Sequence, residues 1–352
     1  MAHDDALWER YFASDFVPQS WFHFLQPHAP LGMKVYYSWP GCFDIIRNYG
    51  ADVVVFGNSE TFNGIQPDLF ADLLNDSGLP GLSGRRIIVC GTSSMPMETV
   101  RAAAAEMLRE NGPRIDLVIW GVSFWSFYAR PAQEAILVDM HRDALKQYGP
   151  SAWKRLENHK AADLFRHVTW RDVLPFTYVD SRPTVEDDRL VPASFLDDQA
   201  ALAAAASRMK PFFAPLAGSS KTDCDFTPAE AELDGALRVI RQLARRTLLY
   251  VPPTTPLTIR SAPQCLLEEA AQALLRRAEP DVHVLVDGWE SYGLRYSHFL
   301  FPTRNAGYFA VNVNHTNALG AEQITRRIAA VVVDLEKGNT SVGKGASFVN
   351  AR

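Results

Sequence analysis

Two short stretches carry residues able to do chemistry. The apolar run Asp52–Phe56 stops at Gly57 and presents Asn58, Ser59 and Glu60 where a helix is about to begin. Far along the chain, YFAVNVNHTNALG places His315 after another apolar run and immediately before a helix whose natural cap is Asn317. A serine hydroxyl attacks poorly at its own pKa and needs a neighbouring base to take its proton. Histidine, titrating near neutrality, is the usual one. If both loops lie at one edge of a sheet, they supply a nucleophile and its base. Taken singly, each has a plainer role: Ser59 as a turn or helix-capping residue, His315 as a histidine that merely starts a helix.

The elements that must position them are legible as apolar, β-branched runs separated by helical patterns. Five runs read as strands: Asp52–Phe56, Arg86–Cys90, Leu117–Trp120, Thr247–Val251 and Val282–Val286. Their alternation with helices predicts an α/β domain with a mainly parallel, five-stranded sheet. After the second run, Met97, Val100, Ala104, Met107 and Leu108 share a helical face. Before the fourth, Leu233, Leu237, Ile240 and Leu243 form a stripe, with Thr227 and Glu230 as a capping box and Pro228 at the first helical position. A last helix from about Ala318 to Lys337 turns Ile324, Ile328, Val331 and Leu335 inward and stops before Gly338.

These assignments divide the chain. Residues 49–129 and 226–337 make the α/β domain. Residues 1–48 form an aromatic-rich N-terminal wrap, residues 130–225 a helical insertion over one end of the sheet, and residues 338–352 a loose tail.

Bulk composition narrows the function. The 352 residues are 47% hydrophobic and 21% charged, enough for a sizeable core. A net charge of -5 and no basic run argue against a nucleic-acid partner. The four cysteines, Cys42, Cys90, Cys224 and Cys265, lie too far apart for a zinc cluster. One or two disulfides fit them as well as reduced thiols do, and Cys90 alone reads as a small buried hydrophobe. No apolar stretch is long enough to span a membrane, and MAHDDALWERYF lacks the features of a signal peptide. No phosphate-binding glycine motif follows any strand, and Glu60 stands where a phosphate would sit.

Gly57-Asn58-Ser59 after the first strand, Gly91 after the second, Gly121-Val122-Ser123 after the third and His315-Thr316-Asn317 near the end form an ordered set. In this order they resemble the blocks of the SGNH (GDSL-type) hydrolases, over about residues 50–125 and 226–335. The segments FGNSETFNGIQPDLF, CGTSSMPMETVRAAAAEML and DLVIWGVSFWSF are more similar to SGNH-like proteins of bacterial polysaccharide and cell-wall acylation loci than to secreted esterases. The resemblance implies a three-layer, flavodoxin-like sandwich and serine-dependent acyl transfer on a carbohydrate, as an O-acetyltransferase or O-acetylesterase, with no cofactor and no metal. It implies a carbohydrate or acyl-ester substrate and a membrane-bound O-acyltransferase as partner. It also implies work at the periplasmic or extracytoplasmic face behind an anchor not contained in this sequence, a cytoplasmic location being the alternative.

Carried over residue by residue, Ser59 is the nucleophile and His315 its base. The N–H groups of Ser59 and of Gly91, or of Ser94 if the loop aligns three residues later, line the oxyanion hole. Donors of that kind cost roughly 3–4 kcal/mol each when removed. Two positions depart from the family pattern. Asn312 stands where the family has the acid that orients the histidine; as the third catalytic residue it can accept the imidazole N–H and orient the ring, but it brings no charge to stabilise an imidazolium. Ser123 stands where it has an asparagine side chain for the oxyanion, so Ser123 or Asn58 would have to serve. Three consequences stay open: a slow site that uses an activated acyl donor, a replacement acid such as Asp287, or loss of catalysis. The last corresponds to an SGNH-fold protein that binds a glycan or an acyltransferase partner.

Overall fold

The computed structural model describes residues 32–36, 46, 50–91, 97–109, 114–127, 178–179, 226–261, 264–302, 309–311 and 315–339. All five expected runs are strands: β2 (Val53–Gly57), β3 (Ile87–Gly91), β4 (Ile115–Gly121), β6 (Ala244–Tyr250) and β7 (Val282–Leu285). They pair in parallel in the order β3-β2-β4-β6-β7. Strands β2 and β3 are buried along their whole length, which explains why they read as unbroken apolar runs rather than alternating ones.

The sheet is larger than expected. Strand β1 (Gly32–Tyr36) adds in parallel to β3, and the two-residue β5 (Tyr178–Val179) pairs antiparallel with β1, giving seven strands in the order β5-β1-β3-β2-β4-β6-β7. β1 lies inside the segment expected to wrap the domain. Its sequence, GMKVY, places a lysine in a short run with few β-branched residues, so it carries none of the apolar continuity of the central strands. Apart from β1, Ile46, β5, Gly338 and Asn339, the expected wrap, insertion and tail lie outside the described residues. A separate antiparallel ribbon joins β8 (Leu300–Pro302) to β9 (Phe309–Val311).

Alternate side chains of the central strands enter two different cores. Val53, Val55, Val89 and Ile119 pack with residues of α1 (Ser59–Gly64), α2 (Pro67–Asp76) and α7 (Ala318–Glu336), among them Phe62, Phe70 and Ile328. Val54, Phe56, Ile88 and Trp120 pack with α3 (Met97–Arg109), α4 (Thr227–Leu243) and α6 (Gln264–Leu275), through Val100, Ala104, Ile240 and Ala270. The short helix α5 spans Pro256–Ser261.

The expected faces of α3, α4 and α7 are the buried ones, Leu108 being only partly covered. The capping box on α4 is not formed. The helix starts at Thr227 with Phe226 as its cap residue and no side-chain cap bond, and Pro228 is its second residue. The Glu230 carboxylate is drawn instead to Arg276 and Arg277 at 2.9 Å each, an ion pair that outbids a backbone N–H. On α7 the expected cap holds: Asn317 Oδ1 accepts from Gly320 N–H at 3.1 Å.

Candidate active site

Three strands end on glycine in one line across the sheet. Gly57 is paired with Gly91 on one side and with Gly121 on the other. A Cβ on Gly57 or Gly121 would fall inside the Thr61 side chain, and one on Gly91 would come within 2.6 Å of Phe62 Cβ. The row of bare backbone therefore lets α1 settle directly onto the strand ends. Ser59, its first residue, is thereby carried to the C-terminal rim of the sheet.

Asn58 starts that helix. Its Oδ1 accepts from the N–H groups of Glu60 (3.0 Å) and Thr61 (3.4 Å), and its Nδ2 donates to Glu60 Oε2 at 3.2 Å. Asn58 is thus engaged at the helix start through its Oδ1 and one of its two Nδ2 hydrogens. Ser59 is spared the capping role.

His315 is brought to the same rim by anchors on either side of Asn317. The Asn317 N–H donates to His298 carbonyl at 2.9 Å, and its Nδ2 donates to Ser297 carbonyl at 2.8 Å. The result is a contact of 2.8 Å between His315 Nε2 and Ser59 Oγ. Ser59 and His315 are both partly buried. Burial pushes the His315 pKa below the ordinary histidine value, so the ring is neutral at neutral pH, the form a base requires. For Nε2 to accept the serine proton, the ring hydrogen must sit on Nδ1.

The other expected residues fall as follows. Gly91 stands beside Gly57 at the rim. Ser123 lies two residues past the end of β4, 1% exposed, and its carbonyl accepts from Ser126 N–H at 2.9 Å. Ser94 and Asn312 lie outside the described residues. Asp287, the expected replacement acid, is turned to α7: its Oδ2 accepts from Arg327 Nε at 2.9 Å and Nη2 at 2.7 Å. Two residues outside that set lie nearby in the chain: His298 shapes a turn, its Nδ1 accepting from Arg295 N–H at 3.1 Å, and Trp120, at the end of β4, is a core residue.

Other polar groups near the rim were not anticipated. Glu60 is buried beside the serine, and the hydroxyls of Thr61 and of Tyr250, from the end of β6, are buried with no hydrogen-bond partner among the described residues. Burial raises the Tyr250 pKa, which keeps the phenol protonated. Thr325 on α7 is also buried. It was legible as a polar residue on an otherwise apolar stripe; nothing comparable flags Tyr250, which ends the apolar part of its strand.

Among the described residues, no group of three or more His, Cys, Asp or Glu is placed to hold a metal. None of the helices described is long and apolar enough to cross a membrane. Cys90 and Cys265 are both disulfide-bonded, so Cys90 is more than a small apolar filler of the core it lies in. No protein-family profile, curated protein or solved structure matches the chain.

Proposed function

We propose that this chain is a serine-dependent acyl-transfer enzyme of the SGNH type, acting on a carbohydrate ester or hydroxyl. The observation that carries the reading is the 2.8 Å contact between a partly exposed serine at a strand-to-helix turn and an imidazole kept neutral by burial. The strand order supports it as well. Taken in chain order, the five central strands stand second-first-third-fourth-fifth, the flavodoxin-like arrangement, in which ligands bind at the carboxyl ends where the order reverses. That crevice lies by β2 and β4, and Ser59 follows β2. Helices packed on alternate faces of the strands suit the three-layer form.

In the reaction, Ser59 Oγ attacks the acyl carbonyl while its proton passes to His315 Nε2. The oxyanion that forms is stabilised by backbone N–H groups, those of Ser59 and Gly91 being the candidates. Collapse expels the alcohol, which takes the proton from the imidazolium and leaves acyl-Ser59. A carbohydrate hydroxyl or water then gives its proton to Nε2 and attacks the ester, and Ser59 leaves with that proton restored. The disulfide bonds of Cys90 and Cys265 favour an oxidising, extracytoplasmic location, where a membrane-bound O-acyltransferase could supply the acyl group.

A specific observation favours a second reading, an SGNH-fold protein of little or no activity that binds a glycan or that partner. Asp287 gives one oxygen to Arg327, and the chain has asparagine at position 312 and serine at position 123, where the resemblance expects an acid and an amide. Incubation with p-nitrophenyl acetate separates the two. The enzyme gains the mass of an acetyl group, and Ser59→Ala does not. Absence of any gain in the parent, with glycan binding unaffected by Ser59→Ala and His315→Ala, selects the binding protein.

A further inference from the structure

Helices α1 and α7 carry or follow the two facing side chains at their N-terminal ends, and they meet again farther along. Thr325 of α7 is completely buried. Its Oγ1 accepts from the Gln66 N–H at 2.9 Å and donates to the Ala321 carbonyl at 2.7 Å, with the Gly64 carbonyl at 3.5 Å. Gly64 is the last residue of α1, and Gln66 precedes α2 without a side-chain cap of its own. The hydroxyl is therefore seated between the end of the Ser59 helix and the second turn of the helix that follows His315. Packing is close at the same place: a Cβ on Gly64 would stand 3.2 Å from Ile324 Cδ1.

A threonine needs only its i−4 carbonyl to satisfy its proton within a helix. The bond from Gln66 is additional and joins two segments 259 positions apart in the chain. Elsewhere the buried stripe of α7 is apolar around it, with Ala321, Ile324, Ile328, Ala329 and Val332. Valine would fill the same space there without the cost of desolvating a hydroxyl. We propose that Thr325 is a positioning residue whose hydroxyl sets the spacing between the Ser59 helix and the His315 helix, and so the alignment of the two facing atoms. The significance of that alignment rests on the acyl-transfer reading; the clasp itself does not.

Thr325→Val, Thr325→Ser and Thr325→Ala test the assignment with two readouts, the rate at which a fluorophosphonate labels Ser59 and the titration of the His315 ring by NMR. The valine variant is expected to unfold within a few degrees of the parent yet label about 10- to 100-fold more slowly, the scale expected of a displacement near 1 Å. Its His315 midpoint should rise toward the ordinary value as the loosened rim admits water. The serine variant, which keeps the hydroxyl, should return to within about threefold of the parent, where alanine does not. A folded valine variant with the parent's labelling rate and the parent's His315 titration overturns the proposal. If valine fails to fold, serine behaving like alanine overturns it as surely. Should the parent itself resist labelling, the acyl-transfer reading falls, and the ring titration alone decides the clasp: identical midpoints in parent, valine and serine variants reject it.

Discussion

The behaviour of His315 follows from its burial. An imidazole whose folded-state pKa lies below the ordinary value near 6.5 stays neutral at pH values where an exposed ring is half protonated. Serine-dependent turnover should therefore be flat from about pH 7 to 8 and fall in acid with a midpoint below about 6.5. A pH–rate profile of p-nitrophenyl acetate hydrolysis checks this, and a midpoint above that value would contradict it. The same shift acts on stability with a definite sign. Between the two pKa values the unfolded chain binds a proton that the native site refuses, so the ring costs nothing at neutral pH and destabilises the fold as pH falls through the ordinary value. Asp287 supplies a second prediction at this scale. Its side chain is 4% exposed and that of Arg327 is 37% exposed, so the two partners are not equivalent. Arg327→Met strands a buried charge and should cost about 3 kcal/mol in urea unfolding. Asp287→Asn, which leaves an arginine able to reach water, should cost less. Equal losses would show that the pair is not buried as described.

At the scale of elements, the glycine row decides where α1 sits. Gly121→Ala would force Thr61 away and lift α1 from the rim, with a loss of about 1–3 kcal/mol measured by thermal unfolding and a larger proportional loss of Ser59 reactivity. An alanine variant of parental stability and reactivity would mean that the close approach has no consequence. The residues also explain what a reader of the sequence can and cannot see. Strands β2 and β3, and β4 from Leu117 on, are legible because burial on both faces leaves only apolar side chains, and α7 because its stripe and its Asn317 cap agree. β1 is not legible, since its place in the sheet is set by pairing with β3 rather than by its own composition. The α4 cap fails for a related reason: Glu230 has arginine partners just past the end of α6, 46 and 47 positions away, that no local pattern reveals.

For the molecule as a whole, the parallel order brings the ends of β2, β3 and β4 to a single rim, and α7 delivers a histidine there from the far end of the chain. The nucleophile and base could be proposed from the sequence because each sits at an element boundary with a recognisable cap or glycine. The role of Asp287 could not, because its partner Arg327 lies on a helix whose orientation only the folded sheet defines. The disulfides are likewise a property of the assembled molecule. In peptide mass mapping, Cys90 and Cys265 should resist alkylation until the protein is reduced, and alkylation of either without reductant would remove the argument for an oxidising location.

The central claim is that Ser59 is a nucleophile activated by His315. The most direct measurement is the intact mass and adduct position after treatment with a serine-directed phosphonate. A single adduct on Ser59, absent in Ser59→Ala and formed far more slowly in His315→Ala, is expected. An unmodified parent protein, or an adduct that persists when Ser59 is replaced, would contradict that claim.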